Sequence, residues 1–278
     1  MKFVQKFNNL KRICDKEISF TNNIYLISNN SLNLIKGHPY HLRHFSKNIF
    51  IYFKNLIINI LKLFLNLFKN QKLLNLKKKG NYNLLLISNL LNYKSLHKED
   101  YVFGSLEKEL KKKKISYHKI IVNHTLISTN NITKKLNKKN ISVIDFESQS
   151  IFNNIKTTVI LMSFFFLYFV KGIVKLNLLN LIFALDFLNL STKKNLNILN
   201  NFTEDTKNFN YKNLLMPYEG YSWERLILMR AITKKPSKRI GYHFSAISKH
   251  QHSIFRKLQR KFQPDKIYTT GLYPKKKF

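Results

Sequence analysis

Acidic residues are scarce in this chain: 14 Asp and Glu stand against 49 Lys and Arg, a formal net charge of +35 over 278 residues. Cysteine is nearly absent. Cys14 stands alone, which excludes an intrachain disulfide and fits a reducing compartment. With only 7 glycines and no match to a GxxxxGKS/T loop or a GxGxxG fingerprint, backbone cradling of a pyrophosphate is not expected. A nucleoside triphosphatase and a dinucleotide dehydrogenase are thereby disfavoured. Arginine is confined to Arg12, Arg43, Arg225, Arg230, Arg239, Arg256 and Arg260, whereas lysine, asparagine, isoleucine, leucine and phenylalanine abound, as an AT-rich genome favours. Bidentate phosphate and guanine contacts prefer arginine, so the charge is read as attraction to an anionic membrane surface and not to nucleic acid.

A chain of this length with 44% hydrophobic residues can bury a sizeable core. Met1 to Arg12 is interrupted by Lys2, Gln5, Lys6, Asn8 and Asn9, so no secretory signal is read. From Thr157 to Val170 no charge occurs, but at 1.5 Å per residue the run reaches about 21 Å, short of a hydrocarbon core of about 30 Å. Extending it through Phe187 brings in Lys171, Lys175 and Asp186, which makes a tilted span costly. Between Ile49 and Lys69 the polar residues Asn55, Asn59, Lys62, Asn66 and Lys69 form one helical stripe. Phe53, Ile57, Ile60, Leu61, Phe64, Leu65 and Phe68 cover the other faces, for burial in a core or in a lipid interface.

Apolar runs of strand length alternate with helical patterns, the signature of an α/β fold with a covered, Rossmann-like parallel sheet. The expected strands are Ile24 to Ser28, Asn83 to Ser88, Tyr117 to Val122, Ser142 to Phe146, Leu214 to Tyr218, Arg239 to Tyr242 and Lys266 to Thr270. Helices are expected over Lys47 to Lys69, Asp100 to Lys113, Ile151 to Leu190 with a break near Gly172, Ser222 to Lys234, and Lys249 to Lys261. Gln71 to Asn81 reads as a basic linker, dividing an N-terminal arm (1–80) from a sheet domain (81–278). The Asn/Lys-rich patches Asn130 to Lys139 and Thr192 to Asn213 read as loops or exposed helix ends.

Spaced histidines (His38, His41, His44; His250, His252) lack acidic or cysteine partners and have no fixed metal geometry, so no metal is assigned. The stretch from Tyr218 to Arg225 is more specific. Leu214, Leu215 and Met216 form a buried strand, Gly220 permits a sharp turn, and Ser222 can cap a helix starting at Trp223. Glu219 then projects from the strand's carboxyl end, where ligands bind in such sheets, and can orient or deprotonate a sugar hydroxyl. The alternative is a plain turn residue. Glu224 in a first helical turn is favoured by the helix dipole, and Trp223 can pack against the sheet.

The succession YEGYSWERLILMRAI, IGYHFSAISKHQHSIFRKL and PDKIYTTG resembles bacterial surface-carbohydrate biosynthesis proteins of the glycosyltransferase type, and the earlier LLLISNL strand is similar to their first sheet unit. The resemblance covers about Asn83 to Gly271 and implies the acceptor-side, N-terminal half of a GT-B-like fold. On that likeness Glu219 is the acceptor-binding group or base, Trp223 stacks on a sugar, and Glu224, Arg225, His243, Ser245, Thr270 and Gly271 line the cleft. The family's histidine aligns with Phe244, leaving His243 one residue early. The resemblance further implies a sugar acceptor, lipid-linked or free, at the cytoplasmic face of the plasma membrane. No cofactor is implied. A nucleotide-sugar is expected only if a second, donor-binding domain is supplied, since that half would begin where the chain stops at Phe278. A truncated and inactive fragment is thus expected, with a non-enzymatic membrane-associated scaffold as the alternative. Absence of Asp-x-Asp argues against a metal-dependent single-domain transferase.

Overall fold

The computed structural model describes residues 23–28, 57–58, 61, 64–65, 80–93, 96, 99–125, 127–136, 140–147, 150–176, 178–244, 254, 256 and 258–270. Six strands form one sheet: β1 (Gly80–Leu90), β2 (Tyr117–Asn123), β3 (Ile141–Ile144), β4 (Phe209–Pro217), β5 (Lys238–His243) and β6 (Lys266–Thr269). Every pairing is parallel and the order is β3-β2-β1-β4-β5-β6. This is the Rossmann order, in which the chain reverses direction between β1 and β4 and leaves a crevice at their carboxyl ends. The α/β expectation holds. Both faces are covered, as a parallel sheet requires: Leu85, Ile87, Ile120, Val122, Leu214 and Met216 meet one helical layer, while Leu90, Ile121, Ile141 and Val143 pack with Ile132 on the other side.

The helices are α1 (Ile24–Ser28), α2 (Leu106–Lys112), α3 (Thr129–Leu136), α4 (Ile151–Val174), α5 (Leu178–Phe187), α6 (Leu190–Asp205) and α7 (Ser222–Ala231), the last continued by a 3₁₀ turn, Ile232–Lys234. Ile24 to Ser28 is therefore helix, not strand. Asn23 accepts the Tyr25 N–H at 2.9 Å, and the turn packs Ile27 among α4, α5, α6 and α7, away from any strand edge. Gly80 and Asn81 belong to β1 opposite Phe209 and Asn210, so the linker ends earlier than its composition indicated. Asp100 to Ser105 is a turn preceding α2: Asp100 Oδ1 accepts the N–H groups of Val102 and Phe103, and its other oxygen binds Lys119 at 2.7 Å. In Lys249 to Lys261 the described residues are irregular except for the 3₁₀ turn Arg260–Phe262, not an α-helix. Most of Lys47 to Lys69, and His38, His41, His44, His250 and His252, lie outside the described residues.

The Asn-rich stretch differs most from expectation. Thr192 to Asp205 lies in α6, one of the most buried helices, because its amides are consumed rather than solvated. Asn195 donates to Ser28 O, Asn197 to Phe146 O, and Asn201 to the carbonyls of Asp145 and Glu147, each at 2.9–3.0 Å. Thr129 to Leu136 likewise forms α3, burying Ile132.

α4 and α5 make a hairpin, broken at Lys175 and Leu176 and not at Gly172. Leu176 turns with φ 45°, while Gly172 stays helical and lets α5 approach. A Cβ there would lie 2.6 Å from Leu181 Cδ2 and 3.1 Å from the Leu181 backbone nitrogen. Gly172→Val is accordingly expected to cost about 1–3 kcal/mol through overpacking, read as a lower urea midpoint with unchanged slope. A midpoint equal to that of the parent would mean the hairpin does not pack this way.

Candidate functional site

The turn after β4 is built from backbone outward. Tyr218 N–H donates to Tyr242 O at 3.0 Å, prolonging the β4–β5 pairing by one residue. Gly220 then takes φ +80°, a left-handed conformation that side chains resist. Glu224 closes the turn: its Oε2 accepts the N–H groups of Glu219 at 2.8 Å and Tyr221 at 2.9 Å. Arg225 Nε donates to Gly220 O at 3.2 Å, and its guanidinium lies 5.9 Å from the Tyr218 ring centroid. Glu224 and Arg225 are 1% and 0% exposed. Desolvation by this burial pushes the Glu224 carboxyl up to about 8 against the hydrogen bonds that favour its ionised form.

Glu219, held half-buried at the tip of β4, is what the turn presents. The Tyr221 hydroxyl donates to its carboxylate, and burial together with that neighbouring charge holds the Tyr221 phenol protonated. His243, buried at the end of β5, feels the same carboxylate, which opposes the loss of basicity caused by desolvation. The geometry thus brings Glu219, Tyr221 and His243 together. Trp223 is 6% exposed and sits in the sheet-side core, 6.1 Å edge-on from the His124 ring. Trp223, Glu224 and Arg225 are all buried and support the turn. Thr270 lies exposed just past β6, its N–H donating to His243 O at 3.2 Å. Ser245 and Gly271 lie outside the described residues. Tyr221 rather than Ser222 precedes the helix, Ser222 being its first residue.

A cavity of about 400 Å³ opens on the same rim, at the ends of β2 and β3 and the first turn of α6. Asn123, His124, Thr125, Asp145, Glu147 and Lys194 are among the residues that line it. The His124 ring meets Phe146, which forms a wall, at 4.9 Å with the planes tilted by 58°, and its Nε2 lies 3.2 Å from Asn89 Oδ1 at the end of β1. Asp145 is fixed by the Thr129 hydroxyl and the Glu147 N–H, and burial raises its pKa above the ordinary carboxylate value. Glu147 and Lys194 approach to 3.8 Å across the mouth. Next to Lys194, the side chain of Lys193 is buried with no hydrogen-bond partner among the described residues, and desolvation lowers its pKa to about 8. Amide, hydroxyl, carboxylate, ammonium and aromatic groups in one polar recess suit a polyhydroxylated ligand.

These cavity residues escaped the sequence reading, although the signal was the one that selected Glu219: polar residues directly after a buried apolar run. HisThr after IIVN and AspPheGlu after ISVI obey it as well as Glu219 does. Among the described residues no group of three His, Cys, Asp or Glu side chains could hold a metal ion. No family model, curated protein or solved structure matches the chain.

Proposed function

We propose that this chain is the acceptor-side domain of a glycosyltransferase-like protein of surface-polysaccharide assembly. The single observation behind this reading is the shared rim: a polar, aromatic-walled cavity at β2 and β3 lies beside a carboxylate presented at the tip of β4, across the β1/β4 reversal. In this reading the sugar acceptor occupies the cavity, with Glu147, Lys194 and Asn123 offering hydrogen bonds and Phe146 a face for the ring. Glu219 receives the proton of the attacking hydroxyl, and Tyr221 and His243 hold that carboxylate in place. The donor nucleotide-sugar belongs to a second domain or partner, so the chain alone binds saccharide without turnover.

Saturation-transfer NMR of the full chain with cell-envelope oligosaccharides tests the first half, and Glu147→Gln should weaken binding by about tenfold, the worth of one charged hydrogen bond. Once a donor-binding half is supplied, Glu219→Gln should lower turnover by roughly 10²–10⁴-fold, as loss of a general base does, while saccharide binding changes little. Unaltered turnover would remove Glu219 from the mechanism. The second reading, a non-enzymatic membrane-associated scaffold, draws on the exposed apolar side of α4 and predicts no saccharide binding at all.

A further inference from the structure

Among the described residues one helix, α4, is long and apolar enough to cross a membrane, yet only 17% of its most apolar stretch is buried inside the protein. A core helix of a soluble domain would be mostly covered. The pattern of its exposure is informative. Phe152, Ile155, Val159, Phe166, Val170 and Ile173 are exposed at spacings of three and four, with Ser163 filling the one longer step, so they form a single apolar stripe along the helix. The opposite stripe, Asn154, Thr157, Leu161, Phe165 and Gly172, is buried against the protein over the same length. Lys156 is exposed beside the apolar stripe, about 40° from its axis through Phe152 and Val170 at 100° per residue, while Lys171, exposed in the last turn, stands further round and Lys175 caps the helix end. α4 carries no acidic residue, in a chain whose net charge is +35.

We propose that α4 lies in the plane of an anionic bilayer interface, apolar stripe down and domain up, and does not span the membrane. A helix of 24 residues is about 36 Å long and could cross a hydrocarbon core of about 30 Å. Three features oppose crossing. The buried polar residues Asn154, Thr157 and Thr158 lie opposite Phe152, Ile155 and Val159 of the apolar stripe instead of beyond its end. One side of α4 is covered along its length, by the domain at Leu161 and Phe165 and by Leu181 of α5 at Gly172, so lipid could not surround the helix. The chain enters α4 after β3 and must return through α5 to reach α6 and β4, and α5, with 10 residues and a length of about 15 Å, is too short to recross a core of about 30 Å. Lying flat, the stripe enters the head-group boundary by about 5–10 Å, and Lys156 beside it extends its stem to reach phosphate. Charge selects the lipid: clustered lysines add attraction to an anionic leaflet, which a neutral one lacks. Ile57, Leu61, Phe64 and Leu65, helical and exposed at i, i+4, i+7 and i+8, offer a second stripe of the same kind. This inference does not rest on sugar binding and can fail or hold separately from it.

The test uses full-length chain with Cys14 replaced by serine and an environment-sensitive fluorophore attached in turn through Phe152→Cys, Phe166→Cys and Ile173→Cys. Vesicles of phosphatidylcholine with phosphatidylglycerol should blue-shift all three labels, and quenchers placed at graded depths should report one common shallow depth. Binding should weaken with salt and on pure phosphatidylcholine. Phe166→Glu with Val170→Glu, both exposed, should reduce vesicle affinity by about tenfold or more while circular dichroism is unchanged. A depth that increases steadily from position 152 to position 173 would show a span. No shift with vesicles, or a shift without them that sediments as a dimer, would equally overturn the proposal.

Discussion

Arg239→Met should be among the most damaging substitutions in the protein, costing roughly 3–5 kcal/mol as a broken buried ion pair does. Arg239 lies on β5, 4% exposed. Its guanidinium donates to both carboxylate oxygens of Asp265 at 2.8 and 3.2 Å, to Lys261 O at 3.0 Å, to Arg260 O at 3.1 Å and to Leu228 O at 3.4 Å. Asp265 answers through the backbone as well, accepting the Arg239 N–H at 2.9 Å and donating its own N–H to Arg239 O at 2.8 Å. One side chain thus fastens the end of α7, the 3₁₀ turn Arg260–Phe262 and the entry to β6. Methionine fills much of the volume but withdraws the guanidinium's donors from three carbonyls and leaves the Asp265 carboxylate the backbone N–H of residue 239. Lysine, with one point charge, cannot face all of them and should rescue only part. The Arg239 guanidinium also holds the Asp265 carboxyl below its ordinary value. A depressed folded pKa contributes stability above the unfolded value, near 4, and loses it as pH falls through the folded one. Parent and variant urea midpoints should therefore differ most at neutral pH and converge in acid. A neutral-pH difference within about 1 kcal/mol would mean the network is not formed.

This fastening bears on what could be read from the chain alone. The PDKIYTTG segment stood out as a site motif, yet its Asp265 is spent on Arg239, and only the residues past the strand end reach the rim. Strands β1 to β6 were visible because buried parallel strands are short apolar runs whose character does not depend on context. Helix α6 was not, because Asn195, Asn197 and Asn201 are poor helix formers and read as solvated; only their tertiary acceptors, carbonyls on Ser28, Phe146, Asp145 and Glu147, make them core residues. Ile24 to Ser28 failed for the converse reason. IYLIS is apolar enough for either element, and its partners, α6 and α7, decide for helix. At the site, the Gly220 turn and the place of Glu219 were legible. Which neighbouring carboxylate is buried and which presented was not, since Glu219 and Glu224 differ in role only through backbone N–H groups that converge on Glu224.

Those two carboxylates divide the work on the rim. Glu219 is half-buried and shared with the Tyr221 hydroxyl, so it stays within reach of a ligand. Glu224 is sealed beneath it and sets the conformation from which Glu219 projects. His124 connects this turn to the cavity, contacting Trp223 on one side and Phe146 on the other. A change at Glu224 should therefore be felt at Glu219 through the backbone, and through Trp223 at the cavity.

Glu224→Ala is expected to remove about 2–4 kcal/mol, since it strands two buried N–H groups and leaves a cavity. Glu224→Gln separates that structural part from the charge. Its amide oxygen can accept the same two N–H groups, so the turn should persist, but the side chain no longer titrates. In the parent, the folded pKa of about 8 lies well above the ordinary carboxyl value of 4.5. A raised folded pKa means the native state holds its proton more tightly, so the contribution is complete below the unfolded pKa and is lost as pH rises through the folded one. The parent should lose a few kcal/mol between about pH 5 and about pH 9 that Glu224→Gln keeps, each pKa unit being worth about 1.4 kcal/mol. Urea unfolding of the three proteins at several pH values in this range checks it: the glutamine variant should gain on the parent as pH rises, and the alanine variant should remain weakest in acid. Parallel curves for parent and glutamine variant would show that Glu224 is ionised throughout. The turn would then be held by a buried anion.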